Sequence, residues 1–357
     1  MPIFQIERKE NTMSTIKDIA AEAGVSVMTV YNVINGNHSK VSEKNKIIIE
    51  KLIKEKNYVP NLTAKSLSKN YTKIIGVIIP MGEGNYNFFK DPYLSELIGV
   101  IEYAIRSKGY YAMIRSINAA SDTLELFRNW NMDGAIFLLP NQDKLTHQVL
   151  TSKLLHSVFL DSYSTHPDLM SVGINDYKGG YIATKYLINM GHKNIAFAGP
   201  ADSFDEKENV VSRRLAGYLA ALQDSNIPFR EDLIFSDFPV YDMGIDVGKK
   251  ISERKGEITA VFATADIMAI GIMEGARRNG LVIPNDLSIV GFDNIDASIY
   301  SYPKLTTISQ NITKKAETAI ELLIDKIEGN PTTEKRIFLD VEIIERQSVM
   351  RLNDGEI

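Results

Sequence analysis

The sequence predicts a small all-α helix-turn-helix head followed by an α/β core with parallel sheets. Three features carry that prediction. Two short amphipathic segments meet at a glycine turn near the amino end. Beyond residue 70, β-branched runs alternate with helical periodicity. Charge is divided between the two parts. Residues 14–70 carry nine lysines against five acids, a net +4, within a chain whose total is −5. Residues 1–13 balance at zero, so the remainder holds −9 and attraction for phosphate sits at one end only.

In the head, Thr15 caps a first helix over 16–23, with Ile16, Ile19 and Ala20 as its apolar stripe. Gly24 and Val25 make the turn, and Ser26 caps a second helix over 27–34 that keeps Val30, Val33 and Ile34 for packing. Its other face, Val27, Met28, Thr29 and Asn32, stays free, and Asn35-Gly36 ends it with residues that tolerate positive φ. Ser42 opens a third helix whose Ile47, Ile48, Leu52 and Ile53 are expected to cover the first two. Helical spacing alone fits three small surface helices of an enzyme equally well.

The core begins with KIIGVIIP at 73–80, a run suited to a buried parallel strand. A helix over about 93–108 follows, then a strand at 110–116, a helix near 123–131 and DGAIFLLP at 133–140. The alternation continues through HSVFLD, a helix at 179–190, NIAFAGP, a helix at 214–225 and FSDF, and ends with AVFATAD, a helix at 267–280 and LSIVGFD. Ligands of such sheets bind outside the carboxyl ends of the strands.

Composition narrows the function classes. With no cysteine, disulfides and thiolate metal sites are excluded, which fits a reducing cytoplasm. The five histidines show no ligand spacing, and no cofactor is expected. No apolar run reaches the roughly 20 residues that span a bilayer. MPIFQIERKENT mixes charge with isolated apolar residues and reads as a disordered extension over 1–13, not a secretory signal.

The segments TIKDIAAEAGVS, TVYNVIN, VSEKN and NYVPNLTAKSLSKN, followed by TKIIGVIIP, closely resemble the DNA-binding head of the LacI/GalR family of bacterial repressors. The resemblance runs on through GINDYKGGYIATKYLINMGHKNIAFAGP, VSRRLAGYLAAL, VFATADIMAIGIMEGARRNGLVIPNDLSIVGFDNID and YPKLTTISQN. It implies a helix-turn-helix domain at 14–60, a hinge helix and linker at 61–72, and a core at 73–350, with 351–357 as a tail. The core would be periplasmic-binding-protein-like, type I: two Rossmann-like lobes, the first about 73–173 and 305–336, the second about 174–304 and 337–350. An effector cleft would lie between them.

Function follows the same resemblance. The chain is expected to be a sequence-specific transcriptional regulator, a repressor, acting as a cytoplasmic homodimer on palindromic operator DNA. A small carbohydrate would control it. The implied DNA contacts are Thr15, Ser26, Val27, Met28, Thr29, Tyr31, Asn32 and Asn35, with Asn61, Ala64 and Lys65 in the hinge. Leu67 would wedge into the minor groove, unstacking a base step at a cost of roughly a few kcal/mol. In the cleft the resemblance implies Tyr93, Leu94, Arg214, Ala265, Asp266 and Asp293. An aspartate and an arginine together suit a polyol, one accepting and the other donating. Asp266 reads as an N-cap before a ligand contact, Arg214 as a ligand contact before an exposed helix charge, and Arg213 as solvated.

Departures limit the transfer. Tyr31 replaces a residue usually Ser, and apolar Val27 and Met28 favour thymine methyls over bidentate hydrogen bonds. Asn32 is the polar base reader suited to adenine. Ala265 stands where many members have Asn. A sugar-binding protein of a transport system would share the core, but it needs an export signal and no DNA head. An enzyme is the third class, yet GxGxxG after a strand, GxxxxGK[ST], GxSxG and HExxH are missing, and the loop pair Asp202 and Asp205 reads as solvated or catalytic alike.

Overall fold

The computed structural model describes residues 14–58, 71–80, 87–117, 125, 127, 129–138, 143–154, 156–201, 209–332 and 334–352. Outside them lie the extension at 1–13, the hinge with Asn61, Ala64, Lys65 and Leu67, the Asp202/Asp205 pair and most of the tail. The helix expected near 123–131 is described only in part. The chain divides into two compact units, residues 1–72 and 73–357.

In the first unit, α1 (Ile16–Ala23), α2 (Val27–Ile34) and α3 (Glu43–Glu55) stand where the sequence places them. Thr15 and Asp18 form a reciprocal capping box, and Gly24 closes α1 at φ 64, a left-handed conformation that glycine adopts without strain. Ser26 accepts from the Thr29 amide at 3.2 Å. Ile19, Ala20, Val30, Val33, Ile49 and Leu52 make the core. The face of α3 differs from expectation: Ile47 is 60% exposed and Ile48 exposed, while Ile49 and Leu52 are buried with Ile53 beside them. Positions 49, 52 and 53 lie on one helical face, and 47 and 48 fall off it. A 3-10 turn at His38–Lys40, which the sequence did not signal, leads into Ser42.

The second unit holds two six-stranded sheets. The first runs β11-β5-β4-β3-β1-β2, with β1 (Ile74–Pro80), β2 (Tyr111–Ile117), β3 (Gly134–Phe137), β4 (His156–Leu160), β5 (Ser171–Ile174) and β11 (Arg336–Leu339), all parallel. The second runs β12-β10-β9-β8-β6-β7, with β6 (Ile195–Ala198), β7 (Ile234–Phe235), β8 (Ala260–Ala263), β9 (Ser288–Asp293), β10 (Thr306–Ser309) and β12 (Glu342–Ile344); only β12 is antiparallel. Helices α4 (Pro92–Ser107), α5 (Asp143–Ser152) and α11 (Ile312–Glu328) belong with the first sheet, and α6 (Asp176–Asn189), α7 (Val210–Asp224), α8 (Tyr241–Ser252), α9 (Asp266–Arg278) and the short α10 (Ala297–Tyr300) with the second. Helices α5, α8, α10 and α11, and strands β5, β10, β11 and β12, have no counterpart in the strand and helix assignments made from sequence.

One of the three expected crossings shifts. The chain leaves the first lobe after Ile174, next to the expected Gly173. It returns only after Ser309, because β10 pairs with β9, so the boundary at 305 is corrected to about 310. The last crossing falls after Leu339, at the end of the 335–339 stretch where it is expected, because all four residues of β11 pair with β5. Glycine fixes the spacing of α6 and α7. A Cβ on Gly180 would lie 2.1 Å from the Arg214 carbonyl oxygen, and one on Gly217 would lie 2.1 Å from that of Tyr177. Only glycine permits this approach, which brings Arg214 to the end of the second sheet.

Candidate functional site: the head surface and an inter-lobe cleft

The head presents one side of α2. Met28 is 64% and Val27 42% exposed; Thr29, Tyr31 and Asn32 are half-buried. Three other expected contacts are engaged at the ends of their own helices. The Thr15 hydroxyl donates to Asp18 at 2.8 Å, the Ser26 hydroxyl pairs with that of Thr29 at 2.9 Å, and Asn35 Nδ2 donates to the Tyr31 carbonyl at 2.8 Å. Hydrogen bonds from Thr15 hold the Asp18 carboxyl below its usual range, leaving an anion at the positive end of α1.

In the core, the carboxyl ends of both sheets converge on one polar cluster. From the first lobe come Tyr93 in the first turn of α4, Asp161 and Tyr163 after β4, and Lys315 in the first turn of α11. From the second come Asp176 at the start of α6, Arg214 on α7, Thr264 after β8 and Asp293 at the end of β9; Gln310 lies on the crossover. Backbone strain marks the same strand ends: φ is +55 at Asp161, +121 at Asp293, +59 at Asn294 and +48 at Asn311. Such conformations cost on the order of 1–3 kcal/mol each and persist where the surroundings enforce them.

Arg214 is buried. Its Nε donates to Asp176 Oδ1 at 2.8 Å, its Nη1 to the Thr264 carbonyl at 2.6 Å, and its guanidinium lies 3.6 Å from the centre of the Phe292 ring. Tyr163 donates to the other Asp176 oxygen at 2.7 Å. Burial raises the Asp176 carboxyl, with Arg214 opposing the shift. Burial also works against the Arg214 charge, but Asp176 and Asp293 outweigh it and the guanidinium stays raised.

On the facing wall, Lys315 is wholly buried and donates to Asp161 at 2.8 and 2.9 Å, to Gln310 Oε1 at 2.5 Å and to the Tyr93 hydroxyl at 3.1 Å. Gln310 Nε2 in turn donates to Asp293 Oδ1 at 2.5 Å. Burial pushes Asp293 up to about 7 even though Arg214, Gln310 and Lys315 all favour its ionised form.

The expected cleft residues fare unequally. Arg214, Asp293 and Tyr93 come together. Leu94 is buried beside Tyr93, with its amide bonded to Asp91. Asp266 is not the N-cap of α9. That place falls to Ala265, and the Asp266 carboxylate instead accepts from Thr307 Oγ1 at 2.5 Å and from the Ile295 amide at 3.0 Å, tying β10 to the loop after β9. Arg213 is half-buried, its guanidinium 5.6 Å from the centre of the Tyr163 ring, not solvated. Sequence reasoning missed Asp161, Tyr163, Asp176, Gln310 and Lys315. Among the described residues, no helix is long and apolar enough to cross a membrane.

A helix-turn-helix unit followed by a two-lobe core with polar groups gathered between its sheets defines a DNA-binding regulator that answers to a small molecule. Residues 15–61 match the family described as bacterial regulatory proteins, lacI family, and residues 184–349 a periplasmic binding protein-like domain. The HTH-type transcriptional regulator MalR of Clostridium butyricum is 36% identical over 349 residues, covering 94% of this chain and 99% of the relative. The chain belongs to the LacI family. A transcriptional regulator CelR–cellobiose complex superposes with a TM-score of 0.69 at 26% identity, over 94% of this chain and 99% of that one. The lac repressor dimer bound to operator and the anti-inducer ONPF superposes with a TM-score of 0.81 at 24% identity, over the same shares of the two chains.

Proposed function

We propose that the chain is a cytoplasmic repressor that binds palindromic operator DNA as a homodimer and is controlled by a small carbohydrate held between its lobes, with no catalytic role. The observation that carries this is a hydrogen-bond donor, Arg214, and an acceptor, Asp293, together on the second-lobe wall of the cleft, the complement a polyol needs. The CelR–cellobiose complex, a carbohydrate on the same fold, supports the reading. The DNA contacts are assigned to the exposed side of α2 and to the hinge, with Leu67 as the minor-groove wedge that the family resemblance implies.

Dimerisation follows from size and surface. One helix-turn-helix buries too little for useful specificity, so two are needed on a symmetric site. On the second lobe, Phe238, Ile299, Tyr300 and Tyr302 are exposed, Tyr302 at 84%, and a cavity of about 310 Å³ lies between Tyr241, Met273, Val282 and Tyr302. Exposed aromatic residues of this kind suit an interface, and a second copy is the occupant that brings two heads together.

Light scattering combined with selection from random duplexes tests the assignment. A dimer at micromolar concentration and a two-fold symmetric selected site are expected. A monomer that holds a selected site tightly would sink it.

A further inference from the structure

The two walls of the cleft are built alike, and the likeness fixes the charge of what fits there. Each wall contributes one cation already matched by its own carboxylate: Arg214 with Asp176 in the second lobe, Lys315 with Asp161 in the first. An ammonium has three N–H groups and no acceptor. Lys315 has Asp161, Gln310 and Tyr93 around it, so no donor is left for a ligand anion. Arg214 keeps Nη2 for a ligand hydroxyl, but its charge is met by Asp176 and shared with Asp293.

Lys315 also sets the polarity of the crossover. Because it can only donate, Gln310 must turn Oε1 toward it and Nε2 toward Asp293. One oxygen of Asp293 is thereby occupied, and the other is left to accept from a ligand. With Asp293 ionised, the five groups sum to three carboxylates against two cations. A phosphate would bring ~1.5–2 further negative charges into a site with no unmatched cation.

Building on the reading of the cleft as a carbohydrate site, we propose that Lys315, matched by Asp161, is a positioning residue that restricts the cleft to uncharged polyhydroxylated ligands and excludes phosphorylated or carboxylate-bearing ones. Lys315 acts through Gln310 on Asp293 and through Tyr93 on the first-lobe wall.

Calorimetric titration of the full-length protein with glucose, maltose and cellobiose, each beside its 6-phosphate derivative, tests this. In the parent, the neutral member of a binding pair should be favoured by about tenfold or more, the scale of one charge-assisted hydrogen bond. Asp161→Asn leaves Lys315 unmatched, and the phosphate member should gain about tenfold relative to the neutral one. Lys315→Met alone leaves a buried bare carboxylate and risks unfolding, so Lys315→Met combined with Asp161→Asn is measured instead. The double variant restores the original charge balance and should restore discrimination against phosphate, which a merely structural pair would not do.

A parent that prefers the phosphate member, or an Asp161→Asn variant with unchanged preference, overturns the charge assignment while keeping the cleft as a carbohydrate site. Failure of every pair to bind overturns both.

Discussion

The head and the cleft invert each other. The head leaves apolar side chains, Val27 and Met28, in solvent on the face we assign to DNA, whereas the cleft buries Lys315, Asp161, Arg214, Asp176 and Asp293. Both reverse the usual rule that apolar groups go inside and charges outside, and each reversal has its own chemistry. On the proposed reading the head's surface is finished by its ligand, with thymine methyls covering the apolar tips and phosphates meeting the lysines. The cleft is finished by itself, every buried charge already facing a partner, so a ligand meets an ordered array of donors and acceptors. Screening by salt should therefore govern the first and proton uptake the second.

Salt separates the two most strongly. Between about 50 and about 200 mM salt, operator affinity should fall on the order of 10³-fold, because each phosphate contact releases counterions. Carbohydrate affinity should hardly move across the same range, since buried pairs are poorly screened. Fluorescence anisotropy for DNA and calorimetry for the ligand give both slopes, and equal slopes would erase the distinction.

A smaller effect comes from protons. Burial holds Asp293 at about 7 against an ordinary 3.8, so between those values the folded chain keeps a proton that the unfolded chain gives up. Its contribution to stability is full below 3.8, is lost as pH rises through about 7, and is flat above. Asp293→Asn should flatten the dependence of melting temperature on pH in that window and leave the variant more stable than the parent at alkaline pH, at the expense of carbohydrate binding. In the parent, carbohydrate affinity should rise through the same window as the acceptor ionises. A variant that melts with the parent's pH slope would place the titrating group elsewhere.

What the sequence disclosed divides along the same line. The head is held by local bonds between residues three or four apart, such as Thr15 with Asp18 and Ser26 with Thr29, so caps and turns stood out in order. Its one error, the buried face of α3, arose where Ile47, Ile48 and Ile49 run consecutively and periodicity gives no phase. In the cleft, Arg214 and Asp293 were visible only through family motifs, because their partners are remote in sequence. Arg214 meets Asp176 across 38 residues and Lys315 meets Asp161 across 154. Lys315 resembles a solvated charge beside exposed Lys314. A signal was nevertheless there: it shares a face with Ala319, Leu322 and Leu323 of α11, all buried.

Operator affinity measured with and without a carbohydrate that binds the parent tests most directly whether the cleft governs the head. The parent should change its operator affinity when the ligand is added. Arg214→Ala, shown to be folded by circular dichroism, should bind operator within about threefold of the parent and lose the response, because the ligand forfeits a charge-assisted bond of about 1.5–3 kcal/mol. An Arg214→Ala protein that answers the same ligand concentration with the parent's full shift in operator affinity would contradict the account.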